Sequence, residues 1–282
     1  MHRLSLVWMA AAALSLGCGD KAEGPAGGPD TGAGSDGGDG DDGDDGSTEE
    51  TVYPSGRRVL LDYSHNGYGP ESSGKAEFTA IDAHWSATYG WNTDHRGSFT
   101  SDLSDHRVVG FLAPGINGAE DFSQEEIDAL TAALAAGTRV IVFGDRTGCG
   151  VPGITTFLAA LGSTMSFTGE SAGENSLALT DDFDTSHQIG AGLTEPIKMK
   201  EPCYVNPTGG QTVVRDNNRN VLVASQQIGS GGDVVLVGDF QFMDDGSNYL
   251  DSGDTQRFAD NLVIVDPNWA PDDSGDDSGA AR

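Results

Sequence analysis

Along the middle of the chain, short apolar blocks alternate with polar turns, and two periodicities take turns. Val59-Leu60-Leu61-Asp62-Tyr63 is a compact apolar run after a turn and reads as a buried strand. Phe78, Ile81, Trp85 and Tyr89 recur every three or four residues within 75–89, which predicts a helix packing one face. A short strand is expected near 91–94, and Arg107-Val108-Val109-Gly110-Phe111-Leu112 is a further strand, ended by Ala113-Pro114-Gly115. Ser123 followed three residues later by Glu126 is a capping box; Ile127, Leu130 and Leu134 share the helix face behind it, and Gly137 closes it. Arg139-Val140-Ile141-Val142-Phe143 is apolar enough to be buried on both faces, as strands of a parallel sheet are.

The remaining elements are a helix over 154–161, a strand over 164–167, strands at 221–224 and 233–237 joined as a hairpin through 229–232, and a closing helix over 257–265. Strand and helix alternating in this way imply one α/β domain with a doubly wound, mostly parallel sheet, expected over 55–266.

The two ends follow different rules. Met1-His2-Arg3, an apolar run over 4–16 and then Gly17-Cys18 have the layout of a secretory signal, and the run is short for a membrane span. Leu14-Ser15-Leu16-Gly17-Cys18 resembles a bacterial lipobox, which implies cleavage and lipidation at Cys18. The anchor would then hold the protein on the cell envelope membrane, and by resemblance to lipoprotein sorting rules Gly19, where Asp would signal retention, points to the outer membrane. Residues 19–54 are almost wholly Gly, Asp, Pro, Ala and Ser up to about Glu50 and form the expected acidic tether; 267–282 repeat that composition as a tail.

Charge narrows the partners. The 282 residues carry 44 acidic and 15 basic side chains, a formal net charge of −29, and a field of that sign repels phosphate backbones. Nucleic acid is therefore not an expected partner; an envelope protein or a glycan is. The Asp-rich loop 244–254 has oxygen donors for calcium but not the EF-hand spacing, and reads as a solvated turn with Asp254 capping the last helix. His84, His95 and His106 lack zinc-ligand spacing, so neither a metal nor another cofactor is expected.

In a parallel sheet, ligands gather beyond the carboxyl ends of the strands, which directs attention to Asp62, His65, Asp145, Arg146 and Asp239, together with His187 in Thr185-Ser186-His187-Gln188-Ile189-Gly190. If all these positions shared one edge, they would form a carboxylate and imidazole cluster. Each Asp has an alternative use as a cap for nearby backbone amides.

Asp62-Tyr63-Ser64-His65, the capping-box helix, Val142-Phe143-Gly144-Asp145, His187-Gln188-Ile189-Gly190-Ala191-Gly192-Leu193 and Val237-Gly238-Asp239, taken in order, resemble the class I glutamine amidotransferase-like superfamily. The nearest branch is non-catalytic, found in uncharacterised bacterial domains and at the start of an intraflagellar transport subunit. Catalytic members carry a Cys elbow directly after a strand. Here Thr147-Gly148-Cys149-Gly150-Val151 lies several residues beyond the strand end, with Asp145 nearer the nucleophile's place. Two roles stay open for Cys149: a nucleophile assisted by His187, or a disulfide with Cys203 in an oxidising compartment. Two functions are likewise carried forward. The first is a non-catalytic binding or scaffolding module; the second is an envelope hydrolase acting on a small sugar-like or amide substrate through the His/Asp cluster.

Overall fold

The computed structural model describes residues 56–266, apart from 70–76, 119–120 and 175. Cys18, the expected tether and the expected tail lie outside the described residues.

Eight strands form one mixed sheet in the order β2-β1-β3-β4-β12-β11-β10-β7. The first five positions are parallel: β2 (Asn92–Arg96), β1 (Arg58–Asp62), β3 (His106–Leu112), β4 (Arg139–Phe143) and β12 (Asp233–Val237). From β12 the sheet continues antiparallel through β11 (Val221–Gln227), β10 (Gln211–Arg215) and β7 (Asp182–Phe183). Every residue of β3, β4 and β12 is buried, because helices cover both faces of the sheet centre. The α1 (Thr79–Tyr89) and α4 (Thr255–Val263) side packs Ile81, Trp85, Phe258 and Leu262 against one face. The α2 (Gln124–Ala135) and α3 (Pro152–Ala160) side packs Leu130, Leu134, Phe157 and Leu158 against the other. This is the doubly wound α/β architecture that the hydrophobic pattern predicts.

The expected capping box on α2 is present in both directions: Glu126 N–H donates to Ser123 Oγ at 3.3 Å, and Ser123 N–H donates to Glu126 Oε2 at 2.6 Å. Gly137 follows at φ +92°, a left-handed position that a side chain would strain. The hairpin between β11 and β12 is also as expected.

Three expectations are corrected. First, α1 begins at Thr79, not at 75, and its first N–H groups are satisfied from far along the chain: Asp245 accepts from Thr79 and Ala80, each at 3.0 Å. Second, Asp254 stands at the N-cap position of α4, as expected, but its side chain makes no cap bond to that helix. Its carboxylate accepts the backbone N–H groups of Thr194 and Glu195, latching that loop instead. Third, the stretch from 164 to 216 contains far more strand than the sequence suggests. The strand expected over 164–167 is β5 (Ser166–Ser171), paired with β9 (Cys203–Asn206), and β6 (Leu177–Thr180) pairs with β8 (Ile197–Lys200). These strands are short and half exposed, and each depends on a partner roughly 20 to 40 residues away, so local patterning carries little of their signal.

Candidate functional site

At the carboxyl edge, the chain reverses its winding between β1 and β3, the position at which sheets of this kind form a ligand crevice. Here the loops after β1 and β3 are hydrogen-bonded to each other across that position. Gly115 N–H donates to the His65 carbonyl at 2.7 Å, Tyr68 N–H to that of Leu112 at 3.0 Å, and Asn117 N–H to that of Asn66 at 3.1 Å. Gly67 is required by this contact, since a Cβ there would stand 2.2 Å from the Leu112 carbonyl oxygen.

Within the loop after β1, Asp62 Oδ1 accepts from Ser64 N–H at 2.9 Å and from Ser64 Oγ at 2.6 Å. His65 Nδ1 lies 3.0 Å from Ser64 Oγ and 3.7 Å from Asp62 Oδ1, and its Nε2 lies 3.2 Å from Glu126 Oε1. The ring is buried and stacked on Phe122, with centroids 3.8 Å apart. Burial pulls the imidazole pKa down, but the hydrogen bond to Asp62 and the charge of Glu126 outweigh it, leaving the pKa raised. A ring protonated on both nitrogens donates toward Ser64 and Glu126, while the Ser64 proton goes to Asp62. His65 in that state is a clamp between the β1 loop and α2, and it cannot take the Ser64 proton as a base.

Beyond β4 and β12, a second network forms. Asp145 Oδ1 accepts from Thr147 Oγ1 at 3.2 Å, and its Oδ2 accepts from Gln241 Nε2 at 2.8 Å. Asp239 is fully buried and accepts the N–H groups of Gln241 at 2.8 Å and Lys200 at 2.7 Å. Its pKa is pushed up to about 8, chiefly by burial, which the backbone donors only partly offset. Arg146 pairs with Glu201 at 3.2 Å and Glu174 at 3.4 Å. Cys149 and Cys203 are joined in a disulfide, with Cα atoms 5.3 Å apart. The bridge ties the loop after β4 to β9 and packs on Gly144, where a Cβ would stand 2.8 Å from Cys203 Sγ. With its sulfur bonded, Cys149 has no thiolate to offer, so the nucleophile reading does not hold for this form.

His187 is on neither network. It borders a cleft of about 520 Å³ at the opposite, amino edge of the parallel strands, beside Arg139 and Asp233, the first residues of β4 and β12. The expected convergence of His65, Asp145, His187 and Asp239 is therefore corrected. The physical reason is topological: His187 follows the short antiparallel edge strand β7, and its segment is held against α4 by Asn261 Nδ2, which donates to the carbonyls of Ile189 and Ala191. His187 Nδ1 accepts from Ile189 N–H at 3.1 Å, starting a single 3-10 turn at Gln188–Gly190. Burial, then the charge of Arg139, lowers its pKa, and the neutral ring carries its proton on Nε2.

Sequence reasoning missed Ser64 and Glu126 as partners of His65, and it missed Arg139 and Asp233 altogether. A signal for the latter pair existed: each is a charged residue opening an otherwise apolar strand.

A doubly wound α/β domain whose β1 and β3 loops are bound together across the switch point is the class that fold and site define. Residues 116–263, more than half of the chain, match a family described as "Domain of unknown function (DUF4350)", and the chain belongs to that family. Among solved structures it is similar to the "mmIFT52 N-terminal domain", with TM-score 0.57 and 13% identity over 75% of this chain and 100% of that one. It is also similar to two Salmonella typhimurium cytoplasmic proteins. STM1381, from strain LT2, has TM-score 0.52 and 12% identity, over 73% of this chain and 98% of that one. STM3548 has TM-score 0.51 and 10% identity, over 73% and 97%. At these identities the likeness is one of fold. No curated protein matches the sequence.

Proposed function

We propose that the chain is a lipid-anchored protein of the cell envelope whose α/β domain, amidotransferase-like but without thiol catalysis, serves as a binding or scaffolding module. One observation carries both halves of this reading, the Cys149–Cys203 disulfide. Such bridges persist in oxidising compartments outside the cytoplasm, in keeping with an export signal ending at Cys18. The same bridge takes up the thiol of Cys149, the cysteine considered above as a nucleophile. The tether over 19–54 would hold the domain away from the membrane, within reach of an envelope protein or glycan. An outer-membrane address follows from Gly19 by the same lipoprotein resemblance.

The competing hydrolase has less support, because its candidate His and Asp residues are spread over separate networks at two edges of the sheet. The test is expression of the full chain in a bacterial host, with fractionation and chemical cross-linking. Membrane retention that Cys18→Ala abolishes, together with a cross-linked envelope partner, supports the reading. A soluble product with Cys18 intact, or turnover of an amide or glycoside that requires His65 or His187, overturns it.

A further inference from the structure

The amino-edge cleft is not used by the anchor, by the strand-end networks or by the disulfide. Its volume of about 520 Å³ lies within the roughly 300–1,000 Å³ typical of small-ligand sites. What it can hold follows from which of its polar groups are already committed.

Arg139 lines the cleft and is largely engaged within the protein. Nε donates to Asp233 at 2.9 Å, Nη2 to Gln188 Oε1 at 3.0 Å, and Nη1 to the carbonyls of Asn261, Leu262 and Ile264 at the end of α4. Only the second Nη2 proton lacks a partner among the described residues, and the side chain is buried. Asp233 is matched by Arg139 and by Ser225 Oγ at 2.9 Å, so its charge is neutralised within the protein. Asp184, beside the wall and bound by Gln211 Nε2 at 2.7 Å, repels anions further. Arg139 below opposes a cation. An uncharged ligand is what this balance accepts.

The groups that remain suit hydroxyls. His187 presents a neutral ring whose Nε2–H has no partner among the described residues. Exposed Gln211 and Gln227 each give one amide N–H, to Asp184 and to the Gly231 carbonyl respectively, which leaves the Oε1 and a second N–H of each for hydroxyls. A peptide adding a strand would need an open sheet edge, but β11 is paired on both sides, and Gly210, Gly231 and Gly232 spend their N–H groups on Pro207, Ile228 and Leu134. Only Val265 gives the lining an aliphatic side chain that an apolar group could contact.

We infer that this cleft binds a neutral, polyhydroxylated ligand, a saccharide of one or two rings, through His187 Nε2–H and the amide oxygens of Gln211 and Gln227. The inference deepens the binding-module reading and rests on it.

The test titrates the full-length protein separately with glucose, N-acetylglucosamine, maltose, cellobiose and trialanine amide, reading saturation transfer to the ligand by NMR. Saturable binding of at least one sugar is expected, with Kd on the order of 1 mM. His187→Asn keeps an acceptor for Ile189 N–H while deleting Nε2–H, and Gln227→Ala alters an exposed side chain; each is expected to weaken that binding tenfold or more. No saturable response to any sugar, equal binding by both folded variants, or preference for trialanine amide overturns the assignment. An envelope partner still cross-linked by both variants, with no sugar bound, removes the cleft and leaves the module reading standing. Sugar binding accompanied by hydrolysis of cellobiose or maltose does the reverse.

Discussion

His65 Nε2 lies 3.2 Å from Glu126 Oε1, and the same Glu126 carboxylate completes the capping box of α2 through Ser123 N–H. One carboxylate thus fixes the start of a helix and the loop after β1 at once. The His65 pKa is raised, so its favourable contribution is complete below the unfolded value of about 6.5 and is lost as pH rises through the higher folded value. Urea unfolding at pH 6 and at pH 8 is expected to give the higher stability at pH 6. His65→Gln is expected to reduce that difference; an unchanged difference would show that the ring does not hold a proton in the fold.

Asp239 bends stability in the same direction for a different reason. Its folded pKa of about 8 means that the folded state keeps a proton which the unfolded chain releases near pH 4. Stability from this group is therefore greatest in acid and falls as pH rises toward 8, by up to about 1.4 kcal/mol per pH unit for a whole proton. Asp239→Asn is expected to flatten the slope between pH 5 and 8, at the cost of the bond from Lys200 N–H. Unfolding curves of the variant and the parent across that range check it.

Asp245 caps α1 across 166 residues of chain. Asp245→Ala is expected to cost about 1 kcal/mol, the usual worth of a helix cap. The amides of Thr79 and Ala80 should exchange with solvent faster in the variant, which distinguishes loss of the cap from a general loosening.

Arg139 gathers Asp233 and the carbonyls of Asn261, Leu262 and Ile264 at the end of α4 into one centre. Removing one partner of a buried pair leaves the other uncompensated, so Arg139→Ala is expected to cost about 3–5 kcal/mol. A double-mutant cycle with Asp233→Ala is expected to recover part of that loss; strict additivity would mean that the two side chains do not interact.

Much of the fold was legible because its determinants are local. β3, β4 and β12 announce themselves as apolar runs behind one or two polar residues, and α2 by a capping box four residues long. The region from 172 to 216 was not legible, since Leu177 and Leu179 stay exposed and β6 exists only by pairing with β8. The candidate site divides the same way. Asp62 ends β1, and His65, Asp145, Arg146 and Asp239 lie beyond strand ends, whereas His187 could be assigned to an edge only by knowing that β7 is antiparallel and peripheral.

The bridge from Cys149 to Cys203 spans a sequence separation of 54 and is expected to contribute about 4 kcal/mol by restricting the unfolded chain. It is also the bond on which the functional reading turns. Intact-mass spectrometry of the protein recovered from a bacterial envelope tests that reading most directly. The predicted species begins at an acylated Cys18, and Cys149 and Cys203 are two hydrogens lighter than free thiols and inert to alkylation. A product that retains residues 1–17, or one in which Cys149 alkylates without prior reduction, would contradict it.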